Sequence, residues 1–228
     1  MGNKYTCIKK NMKKKCRDFQ FIICGTDTDI GKTLISSFFV RGLDSYYWKP
    51  IQSGIQDETD SQAVYRLSEV NTNKILKETY IFNEPVSPHW AAEIDCNIIN
   101  RELLNIPKVN GSLVVETAGG LMVPLTRDFL QIDQIKKWNL PVILVCKSSL
   151  GTLNHTLLSI EALQKRNIRI LALLVNGKKH LDNPKTLREF SGIPIIAEFP
   201  YLNNINIKQL DILWEELNIK EKLDSIFK

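Results

Sequence analysis

The sequence predicts a single α/β domain built on a mainly parallel β-sheet with helices on both faces. Three observations predict it. Short β-branched and aromatic runs alternate with segments of helical period, the signature of repeated βα units. The runs Leu113-Val114-Val115 and Val142-Ile143-Leu144-Val145 are apolar without alternation, as expected of strands covered by helices on both sides. At 228 residues the chain stays below the roughly 250 at which single cores split, so residues 18–228 read as one domain.

The first strand, near Gln20–Cys24, leads straight into Gly25-Thr-Asp-Thr-Asp-Ile-Gly31-Lys32-Thr33 and then an amphipathic helix near Lys32–Gly42. Backbone N–H groups in such a loop and at the helix start converge on phosphate oxygens, and the helix dipole adds to the attraction. Lys32 would reach the β- and γ-phosphates, and the Thr33 hydroxyl would ligate Mg²⁺. The spacing departs from G-x-x-x-x-G-K-T, because its first glycine would fall at Thr26 and Gly25 lies one residue early. Strand, Gly-Lys-Thr and helix in that order predict a Rossmann-like three-layer domain of the P-loop NTPase type.

A second strand near Tyr46–Lys49 ends in Lys49-Pro50-Ile-Gln-Ser53-Gly54. Pro50 biases Lys49 toward an extended conformation, which aims its ammonium from the strand tip at the phosphate loop. There it would stabilise charge on a transferring phosphoryl group; a solvated loop lysine is the alternative. Asp60 opens a helix near Ser61–Glu69 and reads either as a metal ligand or as an N-cap. The third strand, near Ser112–Glu116, ends in a second candidate ligand, Glu116. Thr117-Ala118-Gly119-Gly120 follows it, a small-residue turn that lets a backbone approach a ligand closely.

A helix near Leu130–Trp138 and a strand near Pro141–Cys146 come next, then a helix near Leu153–Lys165. The start of that helix, Leu150-Gly151-Thr152-Leu-Asn154, is either a plain helix start or a holder of a carboxylate through free N–H groups. A strand near Ile168–Val175 ends at Asn176-Gly177, where a side-chain amide could read an adenine edge or the chain could simply turn. The remaining elements are a helix near Asn183–Phe190, a strand near Ile195–Glu198 and a helix near Ile207–Leu217, whose apolar spacing suits packing rather than membrane anchoring. Ligands of such a sheet belong at the carboxyl ends of the strands, which every one of these motifs follows.

Composition narrows the function classes. Hydrophobic content of 43% and charged content of 24% suit a soluble protein, and no apolar stretch approaches the roughly 18 residues of a membrane span. The formal charge is +5, but residues 1–17 hold seven basic residues and no acid, leaving 23 basic against 25 acidic, or −2, in the rest. The body is therefore not basic, and neither nucleic acid nor membrane is an expected partner. The Lys-rich start is expected to be a disordered extension or a mis-annotated start, with Met12 an alternative initiator. It is not a secretory signal, since the apolar run Phe21–Cys24 is too short. Five scattered cysteines without a C-x-x-C pair suit a reducing cytosol. The histidines, His89 included, have no metal-ligand spacing and are given no catalytic role.

Taken together, the motifs resemble one family, the dethiobiotin synthetases. The matching strings are Gly-Thr-Asp-Thr-Asp-Ile-Gly-Lys-Thr at 25–33, Lys-Pro-Ile-Gln-Ser-Gly at 49–54, Glu-Pro-Val-Ser-Pro-His at 84–89, Val-Glu-Thr-Ala-Gly-Gly at 115–120, Pro-Val-Ile-Leu-Val at 141–145, Leu-Gly-Thr-Leu-Asn-His at 150–155 and Glu-Phe-Pro-Tyr-Leu at 198–202. They fall in family order over residues 19–202. The resemblance implies a cytoplasmic enzyme that uses ATP, Mg²⁺ and CO₂ or bicarbonate to close a ring on 7,8-diaminononanoate, giving dethiobiotin through a carbamate and a carbamic-phosphoric anhydride. By position, Thr28, Lys32 and Lys49 would surround the carbamate and γ-phosphate, and Ser53 would contact the substrate. Thr33, Asp60 and Glu116 would hold Mg²⁺.

The resemblance further implies that Asp29, Ile30, Gly31, Lys32, Thr33 and Leu34 hold the nucleotide with Thr117, Ala118 and Gly119. Asn176, Gly177, Pro200, Tyr201 and Leu202 would flank the base. The family is a homodimer in which Gly151, Thr152 and Asn154 would receive the substrate's carboxylate tail from the other subunit's site. Three residues depart from the family pattern: Asp29 stands where glutamate is common, Thr117 where glycine is usual, and Gly177 where an acid often follows Asn176. Two other readings compete. An ATPase switch of the partition or cell-division type usually carries an extra lysine early in the loop, whereas this loop is acidic before Gly31. A P-loop kinase or ligase for another small acid has no reason to repeat Lys49–Gly54.

Overall fold

The computed structural model describes residues 17–202 and 205–228. The Lys-rich start and Met12 thus lie outside the described residues, Arg17 excepted. In chain order the elements are β1 (Gln20–Gly25), α1 (Lys32–Leu43), β2 (Tyr46–Trp48), β3 (Ile51–Ser53), α2 (Asp60–Ser68), β4 (Ile75–Leu76), β5 (Tyr80–Phe82) and α3 (Pro88–Ile94). They continue with β6 (Leu113–Gly120), β7 (Pro124–Thr126), β8 (Phe129–Leu130), α4 (Gln131–Trp138), β9 (Val142–Lys147), α5 (Thr152–Lys165) and β10 (Ile170–Asn176). The chain closes with α6 (Asn183–Ser191), β11 (Ile195–Phe199), α7 (Ile207–Glu216) and α8 (Ile219–Ile226).

Seven strands form one sheet in the order β11-β10-β9-β1-β6-β2-β4, and every pairing in it is parallel. The predicted fold class is the observed one. Strand residues alternate between two cores. Phe21, Ile23, Val114, Ile143 and Val145 face a layer built from α1, α2, α7 and α8, where Phe38 and Phe39 pack edge to face on Trp214 and Leu210 joins the same core. Ile22, Cys24, Val115, Leu144 and Val175 face the other layer, filled by Ile135 and Trp138 of α4, Ile160 and Leu163 of α5 and Leu187 of α6. Apolar side chains therefore fill both faces of β1, β6 and β9, which is why their sequences show no alternation.

The six predicted strands and six predicted helices all form. The structure adds elements the sequence did not reveal. β4 is a two-residue edge strand, and β3 pairs with β5 outside the main sheet, as β7 does with β8. These strands cover a small third core of Ile51, Phe82, Ala91, Ala92, Leu104 and Leu125, which supports the segments flanking the carboxyl ends of β1 and β6. Among the described residues, Cys24, Cys96 and Cys146 are free thiols, and no helix is long and apolar enough to cross a membrane.

Candidate active site

The loop between β1 and α1 explains its own departure from the usual spacing. Thr26 still donates to Val145 O at 3.1 Å, so the strand pairing with β9 runs one residue past Gly25. A Cβ on Gly25 would lie 2.3 Å from Ile30 Cδ1, so this glycine makes room for Ile30 to fold back as a buried plug. Gly31 caps α1 at φ 89°, a left-handed conformation that favours glycine, and no side chain caps the helix. The first-turn N–H groups of α1 are thus left without a side-chain partner. Asn176 braces the loop, donating from Nδ2 to Ile30 O at 2.8 Å, and a Cβ on Gly31 would come within 2.2 Å of the same atom.

Around this loop the described residues form a cleft of about 720 Å³. Thr28, Asp29, Gly31, Lys32 and Thr33 line it from the loop, Lys49 and Ser53 from the β2–β3 segment, Asp60 from α2, and Glu116, Ala118 and Gly119 from the end of β6. Eleven of the residues singled out in the sequence, drawn from four stretches of chain, therefore meet in one space. The register of β6 against β1 breaks between Glu116 and Gly120, and this bulge carries Ala118 and Gly119 to the cleft.

Charge is concentrated at the inner end. Lys49 Nζ lies 2.5 Å from Asp60 Oδ2 and 3.2 Å from Glu116 Oε1. Thr33 Oγ1 lies 2.7 Å from Asp60 Oδ1 and 3.0 Å from Glu116 Oε1. Asp60 is not the N-cap of α2: Thr59 takes that place, in a reciprocal capping box with Gln62 that leaves the Asp60 carboxylate for the cleft. Burial pulls the Lys49 ammonium toward losing its proton, but Glu116 and Asp60 outweigh it and hold its pKa above the ordinary value. Burial and the nearby Lys49 charge push Lys32 the other way, below the ordinary lysine value. Lys32 rests its Nζ on Asp27 O at 2.8 Å. Each lysine is thus positioned before any phosphate arrives.

The donor set fits a small hard cation. Adjacent ligands around octahedral Mg²⁺, with bonds of 2.0–2.1 Å, lie roughly 2.9 Å apart. The separations of 2.7 and 3.0 Å from the Thr33 hydroxyl to the two carboxylates match that spacing. Among the described residues no group of three or more His, Cys, Asp or Glu side chains could hold a metal by itself. Two carboxylates and a hydroxyl leave positions that water and phosphate oxygens fill in sites of this kind.

The remaining sequence candidates do not line the cleft. Ile30 is buried beneath the loop, and Thr117 turns its hydroxyl toward Ile23 O at 3.5 Å. Leu34 and Leu202 pack against the α1-side core, and Tyr201 is exposed. Gly177 ends β10 by donating to Phe199 O at 3.0 Å. Gly151, Thr152 and Asn154 open α5, again with a left-handed glycine and no side-chain cap. Pro200 follows β11 outside the cleft wall. Conversely, Gln52, Pro85, Val86, Ser87, Pro88 and Val123 line the cleft without having been assigned a role from sequence. The strings at 49–54 and 84–89 carried Gln52 and Pro85–Pro88, and Val123 had no signal.

Comparison with known proteins gives this geometry a family. A model described as an AAA domain matches residues 20–209. The chain is 45% identical over 189 residues to the ATP-dependent dethiobiotin synthetase BioD of Rhodopseudomonas palustris strain HaA2, covering 83% of this chain and 89% of that protein. The chain belongs to the ATP-dependent dethiobiotin synthetase family. The synthetase of the same name from Brucella anthropi is 44% identical over 186 residues, covering 82% of this chain and 88% of its own length. Among solved structures, a ParA family ATPase from Chlorobium tepidum superposes with a TM-score of 0.51 at 13% identity, covering 92% of this chain and 93% of that one. At that identity the likeness is one of fold alone. In this member of the family, residues of the 25–33 loop, Lys49, Asp60 and Glu116 line one cleft.

Proposed function

We propose that the chain catalyses the ATP- and Mg²⁺-dependent carboxylation and ring closure of 7,8-diaminononanoate to dethiobiotin, the penultimate step of biotin synthesis. One observation carries the reading: Lys32, Thr33, Lys49, Asp60 and Glu116 line one cleft at the start of α1, the last four in mutual contact. One substrate amine adds to CO₂ and loses a proton, giving a carbamate. A carbamate oxygen attacks the γ-phosphorus and ADP leaves, so a carbamic-phosphoric anhydride forms. The second amine then attacks the carbonyl carbon, a proton is lost, and phosphate departs with the cyclic urea formed.

Thr33, Asp60 and Glu116 are the residues that would hold Mg²⁺, which when bound neutralises charge on the nucleotide's phosphate oxygens. The chain's own part is positioning and charge stabilisation. The helix start and Lys32 fix the phosphates. Lys49, resting between two carboxylates in the cleft, would stabilise charge on the γ-phosphate and the carbamate. Ser53 keeps a buried hydroxyl without a partner at the cleft wall, which suits a contact to substrate. Val86, Val123 and the flanking prolines give that wall an apolar stretch suited to an aliphatic chain.

The reading includes a homodimer located in the cytosol. The uncapped start of α5 lies outside the cleft of its own chain, and its neighbour Leu150 is fully exposed, which supports the reading that Gly151, Thr152 and Asn154 receive a carboxylate tail from a partner's site. Base contacts fall to Asn176, Gly177 and the Pro200–Leu202 turn. The deciding experiment is phosphate release from Mg-ATP and bicarbonate, with and without diaminononanoate. Release that depends on the diamine and forms dethiobiotin is expected; release stimulated by DNA or lipid instead would favour a partition-type switch.

A further inference from the structure

Glu116 divides its two carboxylate oxygens between two surroundings. Oε1 accepts from Thr33 Oγ1 at 3.0 Å and Lys49 Nζ at 3.2 Å. Oε2 accepts from the Tyr47 hydroxyl at 2.9 Å, its only partner among the described residues. Tyr47 and Glu116 are both fully buried, so neither the hydroxyl nor Oε2 has water as a substitute. Sheet register brings them together. Tyr47 on β2 sits opposite Val114 on β6, which makes Glu116, two residues further along the same face, its diagonal neighbour. The long Tyr47 side chain spans the gap between the two positions and brings its hydroxyl to Oε2.

We infer that Tyr47 is a positioning residue that holds Glu116 to a single oxygen facing the cleft and thereby favours Mg²⁺ over Ca²⁺. The inference rests on the reading of Thr33, Asp60 and Glu116 as the metal site. Mg²⁺ takes six ligands at 2.0–2.1 Å, whereas Ca²⁺ takes six to eight at 2.3–2.6 Å and readily accepts both oxygens of one carboxylate. With Oε2 engaged by Tyr47, the two-oxygen mode is closed. Phenylalanine at this position would fill the same core volume and leave Oε2 free to turn to the metal.

The test needs no turnover. Equilibrium affinity for a non-hydrolysable ATP analogue is measured for the parent and Tyr47→Phe in saturating Mg²⁺, in saturating Ca²⁺ and in EDTA. Affinity in EDTA should be unchanged. The gain in affinity that Mg²⁺ confers should fall about tenfold in the variant, the low end of what losing a ligand's hydrogen-bond partner costs. The gain conferred by Ca²⁺ should hold or grow. An unchanged Mg²⁺-to-Ca²⁺ ratio, whatever happens to the melting temperature, would mean that Tyr47 only packs the core and would overturn the inference. If Tyr47→Phe does not fold, Tyr47→Met, flexible and without a hydroxyl, supports the same comparison. A parent that gains nothing from Mg²⁺ over EDTA would refute the metal site itself and the inference with it, and that result is visible before any variant is made.

Discussion

Lys49 is the residue on which the site's charge balance turns. Its ammonium lies within 3.2 Å of two carboxylates, and its side chain is 5% exposed. Removing it leaves Asp60 and Glu116 side by side without the ammonium that contacts both, which should destabilise the ligand-free protein by about 3 kcal/mol. Lys49→Ala should therefore melt earlier, bind Mg-nucleotide nearly as the parent does, and form no measurable dethiobiotin, because the lost contact is strongest in the transition state. Normal turnover in that variant would remove Lys49 from the mechanism. A pH signature accompanies it. Burial raises the Asp60 carboxyl, but the Lys49 charge and hydrogen bond, the Thr33 hydroxyl and Lys32 outweigh it, and its pKa lies below the ordinary value. Such a group binds fewer protons folded than unfolded. Its stabilisation is complete above roughly pH 4 and is lost as pH falls through the folded value. For Lys49, raised in the folded state, the contribution is complete below roughly pH 10.4 and is lost on further alkalinisation. Melting temperature followed against pH should show a shallower acid decline in Lys49→Ala than in the parent, because the Asp60 carboxyl loses the charge that holds its pKa down.

At the scale of elements, helix starts aim the chemistry. α1 begins with a left-handed glycine and no side-chain cap, whereas α2 begins with a complete capping box. The contrast has a physical basis: a capped start spends the N–H groups that a phosphate would otherwise claim. In α2 the cap serves the site indirectly. Thr59 takes the capping position so that Asp60, one residue on, presents its carboxylate to Thr33 and Lys49. Thr59→Ala should cost about 1 kcal/mol of stability and raise the Mg²⁺ concentration needed for half-maximal activity. A variant with lowered stability and an unchanged Mg²⁺ requirement would show that the cap holds the helix without aiming Asp60. The sequence left Asp60 open between ligand and cap, because only the placement of Thr59 and Gln62 separates the two. β4, β5, β7 and β8 went unread for a related reason: two or three residues carry no periodicity, and their pairing is decided by tertiary packing, for β5, β7 and β8 against the small third core.

At the scale of the molecule, the sheet brings loops from distant stretches of chain to one edge, and the second copy is expected to complete the substrate site. Leu150 is fully exposed and Leu158 is 57% exposed on the same helical segment as Gly151 and Asn154. Leu150→Asp should convert a dimer to a monomer in light scattering and suppress turnover while nucleotide still binds; a dimeric, fully active variant would refute the arrangement. Much of this protein was legible in the chain itself. The apolar runs at Leu113–Val115 and Val142–Val145 announced a sheet covered on both faces, and Gly31-Lys32-Thr33 announced the loop-to-helix turn that opens α1, because helix and strand periods and turn chemistry are local properties. Only the tertiary structure decided that Gly25 makes room for Ile30, that Asn176 braces the loop at Ile30, and that Tyr47 reaches Glu116. The last two contacts join residues 146 and 69 positions apart, with partners chosen by sheet order and register, and the first depends on how the loop folds back over β1, none of which a local pattern encodes.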